Sequence, residues 1–234
     1  MRANLLFLLL VLFASTDLCA QLSRTPAESG PNPFWADQSG KPLYLQENYV
    51  AEGSPYFRDQ YHLAEITMID GKVYKDVQVK LNIMENLVLY LAEDNKEMIS
   101  TSAIRRIKFY SIPTEDGMET AVLESLNGGL NISKTPIYQL LDSGTYTLLK
   151  KIAITYRDNK GYGQSLVTRT FETKETYYCR LPDGEFVKFK GREAMLDIFG
   201  MKRNKVETFI DKNKLKCRSD KDFQKVFQYF NSIL

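Results

Sequence analysis

The apolar period changes once along this chain, near Gly191, and that change limits the folds open to it. Before it, Val77, Val79, Leu81 and Ile83 alternate with Gln78, Lys80 and Asn82, and Leu87, Leu89 and Leu91 repeat the spacing. Strand side chains point to opposite faces in turn, so a two-residue period marks one buried and one wet face. After it, Phe223, Val226, Phe227 and Phe230 fall at i, i+3, i+4 and i+7, one stripe of a helix. Strands first and helices last predict an α+β fold, an antiparallel β-meander sheet followed by C-terminal helices. The expectation is one α+β domain over 57–234, with strands in 60–190 and helices in 192–233.

Turn residues divide the strand region. Asp70-Gly71 is a hairpin signal, and Glu85-Asn86 and Asp94-Asn95 mark further turns. Residues 61–110 therefore read as a meander of four or five antiparallel strands. Strands over 137–141 and 146–156 flank Ser143-Gly144, and 158–163 is a turn-rich loop. Separate strands follow over 166–171 and 176–181, and Pro182-Asp183-Gly184 turns the chain into 186–189. In the helical region Met195, Ile198 and Phe199 share a face, with Gly200 placed to end that helix. Asn204 and Glu207 have capping-box spacing, with Val206, Phe209 and Ile210 behind them. Ser219 with Asp222 opens the last helix, where Asp220 and Asp222 suit the positive helix end.

The N-terminus has another character. Arg2, an apolar run over 5–14 and small or polar residues up to Ala20 have the layout of a secretory signal peptide. Cleavage is expected before Gln21. Cys19 is a poor lipidation site, because Asp17 and Leu18 precede it. No later run approaches the roughly 18 apolar residues of a membrane helix, so no transmembrane segment is expected after cleavage. Residues 21–56 hold five of the eight prolines, with Gly30, Gly40 and Gly53, and regular structure is not expected there. Phe34 and Trp35 either pin this lead-in onto the body of the domain or stand exposed to meet a partner.

Composition excludes more chemistry than it suggests. Without the leader the chain keeps 30 basic and 28 acidic residues, which is no footprint for nucleic acid. His62 is the only histidine, so a Ser-His nucleophilic site has one chance, and its neighbours suggest a strand residue. A structural zinc site wants four clustered ligands, which this chain does not offer. Cys179 and Cys217 are candidates for one disulfide in an oxidising compartment, or for two buried thiols. Gly161-Tyr162-Gly163 lacks phosphate-loop spacing and reads as a loop between strands. Lys212, Lys214, Lys216 and Arg218 form a basic stretch, a solvated face or a contact for anionic lipid or polysaccharide. Asn131-Ile132-Ser133 is a glycosylation sequon. No catalytic, cofactor-binding or metal-ligating set is assigned, and no cofactor is expected.

Gly53-Ser54-Pro55-Tyr56, Asp70-Gly71-Lys72 and residues 77–82 resemble a group of small exported proteins of the Bacteroidota. The leader ending in Ala20-Gln21, the Asp183-Gly184 hairpin and the aromatic final helix are similar to theirs. The resemblance covers residues 50–234. It implies a Gram-negative periplasmic, outer-membrane-associated or extracellular location, and carries over no activity and no functional residues. The expected function is a non-enzymatic binding or structural role toward a macromolecule or another envelope component. The alternative is a glycan hydrolase using paired carboxylates. A pocket with two acids about 5 to 10 Å apart favours the second, and an apolar or aromatic groove without them favours the first.

Overall fold

The computed structural model describes residues 40–42, 49–114, 117–126, 129–131, 135–163 and 165–234. The leader, Phe34 and Trp35 lie outside the described residues. So do Ile132 and Ser133.

The described strands are β1 (Lys41–Pro42), β2 (Tyr49–Glu52), β3 (His62–Met68), β4 (Val73–Asn82), β5 (Leu87–Leu91), β6 (Glu97–Ile99), β7 (Ile104–Thr114), β8 (Gly117–Glu124), β9 (Ile137–Ser143), β10 (Thr147–Asn159), β11 (Val167–Arg180) and β12 (Phe186–Phe189). They form one sheet in the order β1-β6-β5-β4-β3-β7-β8-β9-β10-β11-β12, with β2 also on β11. Helices α1 (Gly191–Ile198), α2 (Arg203–Lys212) and α3 (Asp220–Ser232) follow, with a 3-10 turn over Gly200–Lys202. The sheet-rich body and the C-terminal helices match the expected order of elements.

The sheet is mixed, which corrects the purely antiparallel meander. Strand β2 runs parallel to β11, pairing Tyr49–Glu52 with Val167–Thr170. This also corrects the lead-in, where regular structure was not expected over 21–56. The short strand is held by its ladder and by side chains: Tyr49 meets Phe171 edge-on at 6.3 Å, and the Thr170 hydroxyl donates to Glu52 at 2.8 Å. The meander is also broken once. Strand β7 does not continue beside β6 but crosses to the far side of β3.

That crossing requires curvature. Ile99 ends β6 and Ile104 opens β7. Five residues span about 17 Å at full stretch, whereas four inter-strand steps across a flat sheet need about 19 Å. The sheet rolls instead. One apolar core draws Ile66, Val79, Val88, Ile107, Leu123, Ile137 and Ile152 from strands β3 through β10. The β4–β5 turn, with Met84 and Asn86, faces Pro136 and Ile154 across a shallow hollow.

A second core joins one end of the sheet to the helices. Leu148 and Cys179 face Phe189, Leu196, Phe199, Val206, Ile210, Phe223, Val226, Phe227 and Phe230. The predicted helical stripe of α3 is buried along its whole length. Ser219 caps α3, accepting from the Asp222 N–H at 3.2 Å. Gly200 ends the first helix as expected, with φ of +49°. The Asn204 capping box does not form. The 3-10 turn runs straight into α2, Asn204 lies inside that helix, and Glu207 pairs with Arg192 at 3.3 Å. Of the α2 stripe, Val206 and Ile210 are buried, while Phe209 stacks on Tyr229 at 4.0 Å.

The end of α3 is tied to the β9–β10 hairpin by Asn231. Its Oδ1 accepts from the Tyr146 N–H at 3.0 Å. Its Nδ2 donates to the Tyr146 carbonyl at 3.0 Å and to Asp142 at 2.9 Å. A Cβ on Gly144 would lie 1.9 Å from that nitrogen, so any side chain there would displace the Asn231 amide from these partners.

Candidate binding site

The cavity of interest arises where strand pairing stops. On its outer flank β11 meets β12 at Tyr177–Arg180 and β2 at Val167–Thr170. No described strand pairs with residues 171–176 on that flank. Beside this gap β12 ends at Phe189 and the chain turns through Lys190 into α1. The segment before α3 closes the other side. The space left is about 430 Å³, within the range of small-ligand sites.

Its floor is aromatic. Tyr177, Phe189 and Phe223 line it, with ring centroids 4.6 Å (Tyr177–Phe223), 5.9 Å (Tyr177–Phe189) and 5.5 Å (Phe189–Phe223) apart. The Tyr177 hydroxyl donates to Asp220 at 2.7 Å. Burial, then that hydrogen bond and the Asp220 charge, hold its phenol well above the usual range. Cys217 completes the apolar surface.

The rim is cationic. Lys174, Lys188, Lys190 and Arg218 surround the opening, and all four are exposed. None forms an ion pair within the described residues. The one carboxylate lining the cavity is Glu175, which is engaged by Lys150 at 3.0 Å. Gly191 also lines the space and opens α1. Lys190 before it is extended and its side chain caps no N–H of that helix.

A second hollow, about 180 Å³, gathers acids around Lys150. Lys150 Nζ lies 2.6 Å from Asp220 and 3.0 Å from Glu175, and Glu119 lines the same space. The ammonium lies between the two nearer carboxylates.

The other residues singled out from sequence are spread over the fold. His62 opens β3 and meets the Phe109 ring edge-on at 6.4 Å. Its imidazole is held below the usual value, first by burial and then by the Arg58 charge. Gly161-Tyr162-Gly163 is the β10–β11 connection, with Tyr162 exposed. Asn131 uses its amide structurally: Nδ2 donates to the Ser102 carbonyl at 2.8 Å and Oδ1 accepts from the Val88 N–H at 2.6 Å. Of the basic stretch, only Arg218 lines the cavity, and Lys212, Lys214 and Lys216 face solvent. No metal-ligating cluster occurs among the described residues. None of the described helices is long and apolar enough to cross a membrane. Lys174, Lys188 and Lys190 were not marked by sequence. Their one signal is the alternation of Lys188 and Lys190 with Phe189.

Both cysteines are buried free thiols in the second core, so the disulfide expected as one alternative is not formed. Burial pushes the Cys179 thiol up to about 12. Cys217 is raised by burial first and the Asp222 charge second. The thiolate is the reactive form, so neither thiol is activated. In the chain from Gln21 onward, dithionitrobenzoate at neutral pH should label neither cysteine while folded. It should titrate two thiols in denaturant without reductant. Fewer than two would show that the bond forms after all.

No protein-family model matches the chain, and no curated protein or solved structure is significantly similar to it.

Proposed function

We propose that this chain is a non-enzymatic, exported binding protein of a Gram-negative envelope or its exterior, and that its ligand enters the cavity beside β12. One observation carries the reading: an aromatic floor under a cationic rim, with a single lining carboxylate already engaged by a lysine. Such a surface offers apolar contact and charge, but no acid and base. Paired-carboxylate hydrolysis needs one acid to protonate the leaving oxygen and another to attack or to activate water. Asp220 and Glu175 instead share the Lys150 ammonium, which takes the space a scissile bond would need. Export is supported by the leader layout and by the resemblance to exported Bacteroidota proteins.

Two measurements test the reading. Expressed in a Gram-negative host, the chain should be recovered outside the cytoplasm with Gln21 at its N-terminus by mass spectrometry. An intact Met1 in the folded product overturns export. The purified chain should bind the neutral apolar fluorophore phenylnaphthylamine. No binding overturns the cavity as a site, and polysaccharide cleavage abolished by Asp220→Asn overturns the non-enzymatic reading.

A further inference from the structure

We infer that the cavity takes an anionic amphiphile: one carboxylate or phosphate group on an apolar body. This rests on the reading of the cavity as a binding site and names its ligand class.

Three features of one opening converge. The first is charge. Lys174, Lys188, Lys190 and Arg218 stand around the mouth without an ion pair among the described residues, and Glu175 is held by Lys150. Four like charges around one opening repel each other, and a single anion among them relieves every pair at once. Arginine and lysine also donate charge-assisted hydrogen bonds to carboxylate and phosphate oxygens.

The second is backbone. Helix α1 spans eight residues and begins at Gly191, on the cavity wall. The first N–H groups of a helix have no partner within it. Lys190 adopts an extended conformation (φ −140°, ψ 115°) and supplies no side-chain acceptor. An anionic headgroup beside Gly191 meets N–H donors and the positive helix end as well as the rim.

The third is the floor. Tyr177, Phe189 and Phe223 present ring faces and edges, and Cys217 presents a protonated thiol. The described floor brings apolar ring surface and a thiol, and no charged side chain. Such a surface favours a ligand whose body is hydrocarbon.

Decanoate, decyl phosphate and decanol share one chain and differ in the head. Each is titrated against the folded chain preloaded with phenylnaphthylamine. Decanoate or decyl phosphate should displace the fluorophore at least about tenfold more effectively than decanol, since several charge-assisted contacts are gained. Whichever anion wins assigns carboxylate or phosphate. Shortening decanoate to octanoate should weaken binding by about fifteenfold, the worth of two buried methylenes. The double change Lys188→Glu with Arg218→Glu should cost the anion at least about tenfold relative to decanol measured on the same variant. Arg218→Glu alone is the second variant, with the same direction and a smaller loss. Decanol competing as well as the anions, or charge reversal that leaves anion affinity unchanged, overturns the ligand class while the binding site stands. Failure of phenylnaphthylamine to bind removes the site itself.

Discussion

Phe227→Ala should destabilise the chain by about 3 to 5 kcal/mol, the range for deleting a buried phenylalanine ring. Phe227 is fully buried at the centre of the second core. Its ring stacks on Phe189 at 6.0 Å and meets Phe199 edge-on at 5.3 Å. Removing it opens a void among rings from β12, the end of α1 and α3 at once, so no single neighbour can close over the gap. For a domain of this size the midpoint should fall by about 10 °C. Phe209→Ala is the control. That ring stacks on Tyr229 outside the core and is half-buried, so its loss should be much smaller. Urea denaturation of both variants checks the pair. A Phe227 loss below about 1 kcal/mol, or one equal to that of Phe209, would show that the helices are not packed as described.

The order of elements was legible because both periods are strong where they occur. Phe223, Val226, Phe227 and Phe230 needed only helical spacing to be found. The Asp70-Gly71 turn likewise needed only its dipeptide, and it is closed by the Lys72 N–H donating to Asp70 at 3.0 Å. What failed depended on partners far along the chain. Strand β11 runs unbroken through Glu172, Thr173, Lys174 and Glu175, although sequence placed two strands there. These residues carry no apolar alternation because this stretch is exposed, yet their backbones pair with Ile152–Thr155. Strand β8 escaped notice for a related reason: Met118 and Thr120 are exposed or nearly so, and only Ala121 and Leu123 show the period. Strand β2 exists because Val167–Thr170 offers an edge, which no local pattern reveals. The cavity is less legible still. Its rim joins Lys174, Lys188 and Lys190 to Arg218, and its floor joins two strands to the last helix. Of its lining, Arg218, Cys217, Phe223 and Gly191 were marked beforehand, through the basic stretch, the cysteine count, the helical stripe and the change of period, and none of these marks specified a cavity.

The same non-local logic places a charge between the two cores. On β10, Leu148 faces the helical core while Ile152 and Ile154 face the rolled sheet, and Lys150 lies between them on the same face. A lysine there is costly unless its ammonium is matched. It is matched twice, by Asp220 at 2.6 Å from the first turn of α3 and by Glu175 at 3.0 Å from β11. Tyr177 donates to the other Asp220 oxygen at 2.7 Å, so the start of α3 is bound to two strands through one carboxylate. Lys150→Met keeps the stem and removes the charge. It leaves two carboxylates facing each other with no cation between them. Breaking a fully buried pair costs about 3 to 5 kcal/mol. Here the lysine side chain is 8% exposed, but Asp220 is 29% and Glu175 44% exposed, so water screens the remainder. The expected loss is about 2 kcal/mol after that screening. The discriminating result is the double variant. Adding Asp220→Asn to Lys150→Met removes one of the unmatched charges and keeps an acceptor for the Tyr177 hydroxyl. Stability should then recover by about 1 kcal/mol relative to Lys150→Met alone, a non-additivity expected only of groups in contact. Strict additivity of the two losses, measured by urea denaturation at neutral pH, would show that the ammonium does not join α3 to the sheet.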